Sequence, residues 1–159
     1  MLRREMRSVA DFAAPRPQLT HSGADSDGTV HAPLGRMDHD YSVTGLVIGC
    51  AIEVHKQLGP GLKEDSYENA LCEALARGNL RFERERTYRV KFESVAVGKY
   101  RPDLIVESTV VVEVKSVDRL IPLFTSQVIS YLKVTQLRVG LILNFNVPRL
   151  ADGIKRVVL

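Results

Sequence analysis

Two acids and a base interrupt the most apolar stretch of this chain. Residues 101–116, RPDLIVESTVVVEVKS, carry Asp103 in one apolar run and, after Val110-Val111-Val112, Glu113 and Lys115 in the next. Taking an isolated charge out of water is costly, so a strand serving only to fill a core would continue with valine. Glu113 and Lys115 are two apart on a strand and leave it on one face. If Glu107-Ser108-Thr109 closes a three-residue hairpin loop, Val106 pairs with Val110 and Asp103 lies opposite Glu113. Directly opposed residues have Cβ atoms about 4.5–5.5 Å apart. Carboxylates that close repel unless something positive joins them, and a divalent cation is the common answer. A lysine beside such a cation can orient a water and offset charge developing on an attacked phosphate. A solvated cross-strand ion-pair face fits the same three residues equally well.

The elements that must position these residues follow from periodicity. From Tyr41 to Leu58, apolar residues recur at three- and four-residue steps, which predicts an amphipathic helix broken by Gly59-Pro60-Gly61. A second helix is expected from Lys63 to Arg77, with Gly78 as its stop. Residues 81–97 alternate apolar and charged side chains, as an edge strand or ribbon does. Tyr100–Val106 and Val110–Lys115 read as two further strands. Pro122 opens a helix over 122–136, and Val139–Phe145 is a buried strand. The strand–helix–strand piece from 110 to 145 predicts a right-handed parallel crossover. The ending IKRVVL fits a strand or a helix. The expected fold class is α/β, a sandwich built on a mixed sheet flanked by helices.

Bulk properties narrow the setting. A chain of 159 residues that is 45% hydrophobic and 26% charged suits one soluble domain with a real core. Its net charge of +3 and pI of about 9.0 are compatible with a nucleic-acid partner without requiring one. Cys50 and Cys72 fall in helix-like apolar stretches and read as reduced core residues of a cytoplasmic protein. No run approaches the ~18 apolar residues of a membrane span, and no apolar core follows the basic N-terminus as a secretory signal requires. Residues 12–36 mix Pro, Gly, Ser and Asp with no apolar period, so residues 1–36 are expected to be a flexible tail and 37–159 the domain.

Pro102-Asp103 followed by Glu113-Val114-Lys115 looks like the signature of the PD-(D/E)xK nuclease superfamily. Residues 61–67, Gly61-Leu62-Lys63-Glu64-Asp65-Ser66-Tyr67, spell G-x-x-E-x-x-Y. With "IEVHKQLGPGL", "SQVISYLK" and "GLILNF", the chain from about residue 37 onward resembles the bacterial GxxExxY family of that superfamily. The resemblance implies a restriction-endonuclease-like α/β sandwich and a metal-dependent nuclease acting on nucleic acid, DNA foremost, with Mg²⁺ or Mn²⁺. It implies Asp103 and Glu113 as metal ligands, the Val114 carbonyl as a third contact, and Lys115 as the residue that positions water. Glu64 would complete the metal site from the second helix; by itself it reads as a first-turn acid complementing the helix dipole. Gln127 and Tyr131, an i,i+4 pair, resemble a motif that contacts nucleic acid in exonuclease-type members. His55 and Tyr67 are accessory candidates, with Tyr67 equally readable as a packing residue with one tied hydroxyl. The competing function is a nuclease fold that has lost turnover and serves as a binding or scaffold domain. Small size leaves room for a homodimer or a protein partner.

Overall fold

The computed structural model describes the backbone of residues 34–159 and the side chains from residue 39. Two helices come first, α1 (Leu34–Leu58) and α2 (Glu64–Arg77). Between them Gly59 and Gly61 take positive φ of 66° and 100°. That left-handed backbone suits glycine and costs other residues about 1–2 kcal/mol. α1 starts at Leu34 rather than Tyr41, because a formed helix extends at one hydrogen bond per residue fixed. The expected tail lies outside the described residues up to position 33, and its last three positions fall within α1.

Seven strands follow. β1 (Phe82–Arg84), β4 (Leu104–Val106), β5 (Val110–Lys115), β6 (Val139–Asn144) and β7 (Ile154–Val158) form one sheet in that spatial order. β2 (Tyr88–Phe92) and β3 (Val95–Tyr100) pair only with each other, as a separate two-stranded ribbon. Within the main sheet β5 and β6 are parallel and the other pairs antiparallel. Helix α3 (Pro122–Thr135) makes the crossover between the parallel pair, with Pro122 in its first turn and Gln136 capping it at φ 59°. The fold is the mixed α/β arrangement expected, consistent with a restriction-endonuclease-like sandwich.

Three readings of the strands change. The alternating stretch 81–97 divides between β1, which joins the edge of the main sheet, and the ribbon. Tyr100–Val106 is two strands: Tyr100 ends the ribbon and Leu104 opens β4. Pro102 lies at that break, where its missing N–H and fixed φ end a ladder. The undecided C-terminal segment is β7, antiparallel to β6.

Alternation along the strands sorts side chains to two cores. Leu104, Val106, Val110, Val112, Val114, Leu141 and Leu143 pack with α1 and α2, around Val47, Ala51, Leu71 and Leu75. Ile105, Val111 and Ile142 face the other way, against Val128 and Leu132 of α3. At Gly140 the approach of α3 is so close that a Cβ would stand 2.5 Å from Val128 Cγ1. Cys50 and Cys72 are free thiols packed against the first core. No helix among the described residues is long and apolar enough to cross a membrane.

Candidate active site

The turn between β4 and β5 sets the register of everything that follows. Glu107 and Ser108 both take positive φ, 50° and 54°, and the Thr109 N–H donates to the Val106 carbonyl at 3.0 Å. Val106 therefore pairs with Val110 and Leu104 with Val112. One step further back, Asp103 stands opposite Glu113 just outside the ladder, and its Oδ2 accepts the Val114 N–H at 2.8 Å. Period two then carries Glu113 and Lys115 to the face of Val111, under α3.

Glu113 is 1% exposed and Lys115 8% exposed, so both charges are inside the protein. Lys115 Nζ donates to Glu113 Oε1 at 2.7 Å and to Glu64 Oε1 at 3.4 Å. It also stands 5.5 Å from the centre of the Phe124 ring, a cation–π distance. Although the body of α2 packs on the opposite face, Glu64 is its first residue and reaches the end of β5. There the Ser116 N–H donates to Glu64 Oε2 at 3.2 Å, and the Ser116 hydroxyl donates to the Leu62 carbonyl at 2.6 Å. Glu64, Glu113 and Lys115 are thus brought together across sequence separations of about fifty residues.

The side chains do not converge as three carboxylates on one point. Among the described residues no group of three Asp, Glu, His or Cys side chains stands close enough to hold a metal ion. Carboxylates repel, and the cation between Glu64 and Glu113 here is the Lys115 ammonium. The residues nevertheless fit a hard divalent cation. The set is all carboxylate oxygen, and Glu113 Oε2 is buried with no hydrogen-bond partner among the described residues, which is costly unless something positive meets it.

Electrostatics follow from this burial. Desolvation and the charge of Glu113 push the Asp103 carboxyl up to about 7, against the pull of the Val114 N–H and Lys115. Burial raises Glu113 as well, partly offset by its bond to Lys115. Burial alone would lower the Lys115 ammonium, but its hydrogen bond to Glu113 and the charges of Glu113, Glu64 and Asp103 outweigh it and hold it above its ordinary value. Lys115 therefore acts as a cation.

Gln127 and Tyr131 lie on α3 over the same face. Gln127 Nε2 donates to the Tyr131 hydroxyl at 2.7 Å, which leaves the tyrosine proton free to donate. Burial raises the Tyr131 phenol, and the charges of Glu113 and Asp103 push the same way, which puts it in the field of the acids. His55 is elsewhere: its Nε2 lies 2.8 Å from the Val147 carbonyl, beside a cleft of about 260 Å³ that includes Pro148 and Leu150. Tyr67 is fully buried and stacked on Phe145 at 4.6 Å. Its hydroxyl donates to the Gly59 carbonyl at 2.6 Å and accepts the Leu62 N–H at 3.1 Å. Tyr67 thus holds the glycine turn that aims Glu64.

Sequence reasoning missed three neighbours. Glu68 is buried one helical turn after Glu64, adds its negative charge to that felt by Asp103 and Glu113, and is tied to Arg84. The i,i+4 spacing of Glu64 and Glu68 was the available signal. Phe124 had none. Asn144 is buried and grips the loop after Lys115: its Nδ2 donates to the Val117 carbonyl at 2.8 Å and its Oδ1 accepts the Val117 N–H at 3.0 Å.

Comparison with known proteins agrees with this geometry. No curated protein and no solved structure matches the chain. The model of the PD-(D/E)XK nuclease superfamily matches residues 41–157, which takes in every residue of the site. The chain belongs to the PD-(D/E)XK nuclease superfamily.

Proposed function

We propose that residues 37–159 act as a metal-dependent nuclease of the GxxExxY branch, hydrolysing phosphodiester bonds in nucleic acid, with DNA as the polymer and residues 1–36 outside the chemistry. The observation that carries this reading is the buried Glu113–Lys115 pair beside Asp103, with one Glu113 oxygen left unpartnered among the described residues. Asp103 and Glu113, with Glu64 and the Val114 carbonyl, would hold Mg²⁺ or Mn²⁺. When bound, that ion supplies Lewis-acid stabilisation of charge on the phosphoryl group. Lys115, kept charged by its acids, donates hydrogen bonds that orient the attacking water and meet charge developing on phosphate oxygens. Tyr131, with its proton free, and Gln127 offer donors to the nucleic-acid backbone from α3. Tyr67 acts by positioning the turn before Glu64, and His55 has no part in the chemistry.

A second reading, a scaffold with no turnover, draws on the Lys115 bridge: an ammonium between two acids also serves as a structural ion pair. Calorimetry separates the two. Titrating Mn²⁺ into the full chain is expected to show binding at or below millimolar metal, lost in Asp103→Asn. Absence of binding by the wild type would favour the scaffold.

A further inference from the structure

The ribbon β2–β3 stands apart from the main sheet, and every residue from Lys91 to Val97 is exposed. Its pairing places Arg89 directly opposite Lys99 and Phe92 opposite Val95. The register shifts between Val90 and Lys91, and this bulge decides which side chains share a face. The extra residue is Val97 on β3, so alternation holds along β2: Arg89 and Lys91 share one face with Lys99, and Tyr88, Val90 and Phe92 share the other with Tyr100 and Val95. At the root of that second face Tyr88 and Tyr100 pack against the α3 core.

The outer face therefore carries three cations, Arg89, Lys91 and Lys99, while the tip beyond the packed tyrosines exposes Phe92, Val95 and Val97 at 69%, 63% and 60%. Like charges directly opposed destabilise a strand pair. Arg81, Arg84, Arg86 and Arg101 each have an acid, whereas Arg89, Lys91 and Lys99 have no ion-pair partner among the described residues. A polyanion would supply what the fold does not. The root of the ribbon adjoins the acids: Tyr100 meets Tyr131 edge-on at 5.9 Å, and Asp103 follows three residues later.

We infer that the β2–β3 ribbon is an arm that enters the major groove of double-stranded DNA, with Arg89 and Lys99 on phosphates and the apolar tip against base edges. This inference rests on the nuclease reading for its choice of polymer. The geometry favours a B-form duplex, whose major groove of about 12 Å admits a two-stranded ribbon and presents thymine methyl groups to apolar side chains. The A-form groove of duplex RNA is too narrow for side chains to read.

Fluorescence anisotropy tests this on the full chain in EDTA, where binding is read without cleavage. The probes are a fluorescein-labelled 24-base-pair DNA duplex and the RNA duplex of the same sequence. Arg89→Gln/Lys99→Gln is expected to weaken DNA binding on the order of tenfold and to lower the slope of log K against log salt by about 2. Phe92→Ser is expected to weaken DNA binding while leaving the salt slope unchanged. The substituted residues are exposed, and an unchanged melting curve shows that the fold persists. Equal binding of both duplexes by the wild type, or unchanged affinity and salt slope in the double variant, overturns the arm. So does a Phe92→Ser variant that keeps its DNA affinity and instead turns a dimer into a monomer. Metal calorimetry keeps the two claims apart. Ribbon-dependent DNA binding without Mn²⁺ uptake leaves the arm and removes the nuclease, and Mn²⁺ uptake with ribbon-independent binding does the reverse.

Discussion

Asp103 combines burial with a neighbouring acid, and its titration can be measured. Its carboxyl sits near 7 in the folded protein against 3.8 for the exposed group, so the folded chain holds a proton that the unfolded chain has released. For a raised carboxyl, the stabilisation is fully present below the unfolded value and is lost as pH rises through the folded one. Between about pH 4 and pH 7 the metal-free protein should lose stability through this group on the order of 1 kcal/mol per pH unit. Denaturant melts across that range should show the slope in the wild type and a flatter profile in Asp103→Asn. Identical slopes in the two proteins would place Asp103 in water. The same proton must leave before the carboxylate meets a cation, so Mn²⁺ affinity should rise from pH 6 to pH 8. At this scale the pattern Asp103, Glu113, Lys115 was legible because strand period and hairpin register are simple rules. Phe124 was not, since α3 meets the site only through tertiary packing, and Glu68 offered only its i,i+4 spacing from Glu64.

The β4–β5 turn converts those residue types into a site. Glu107 and Ser108 occupy left-handed conformations that glycine and asparagine adopt more readily, and Glu107 is tied down by Arg81 at 2.7 Å. Ser108→Gly should remove the steric cost and raise stability by about 0.5–1 kcal/mol without moving the register. Thermal melting checks this, and a lower melting temperature would show that the serine conformation is not strained. The hairpin and the parallel crossover could be read from the sequence because apolar runs and turn residues bound them. The single break at Pro102 could not, because one proline within a short run reads equally as an edge strand. Nor could the ribbon, because alternation looks the same in a ribbon and at a sheet edge. The C-terminal strand lacked a distinguishing period and was assigned by its pairing with β6.

Across the whole molecule, the charged residues divide into those the fold satisfies and those it leaves open. Surface pairs such as Arg77–Glu53 and Arg149–Asp152 close on themselves, whereas Glu113 Oε2 and the ribbon cations Arg89, Lys91 and Lys99 are among the charged groups with no partner among the described residues. The Tyr100–Tyr131 contact joins the root of the ribbon to the helix over the acids, so the proposed arm stands beside them. The central claim is that Asp103, Glu113 and Lys115 cut phosphodiester bonds with a divalent ion. It is tested most directly by incubating linear duplex DNA with purified wild type, Asp103→Asn and Lys115→Ala in millimolar Mn²⁺, with Mn²⁺ binding measured in parallel. Cleavage by the wild type that stops with EDTA is expected, with at least about a hundredfold loss in both variants and Mn²⁺ binding retained in Lys115→Ala. Equal cleavage by wild type and Lys115→Ala, or no cleavage by a wild type that binds Mn²⁺, would contradict it.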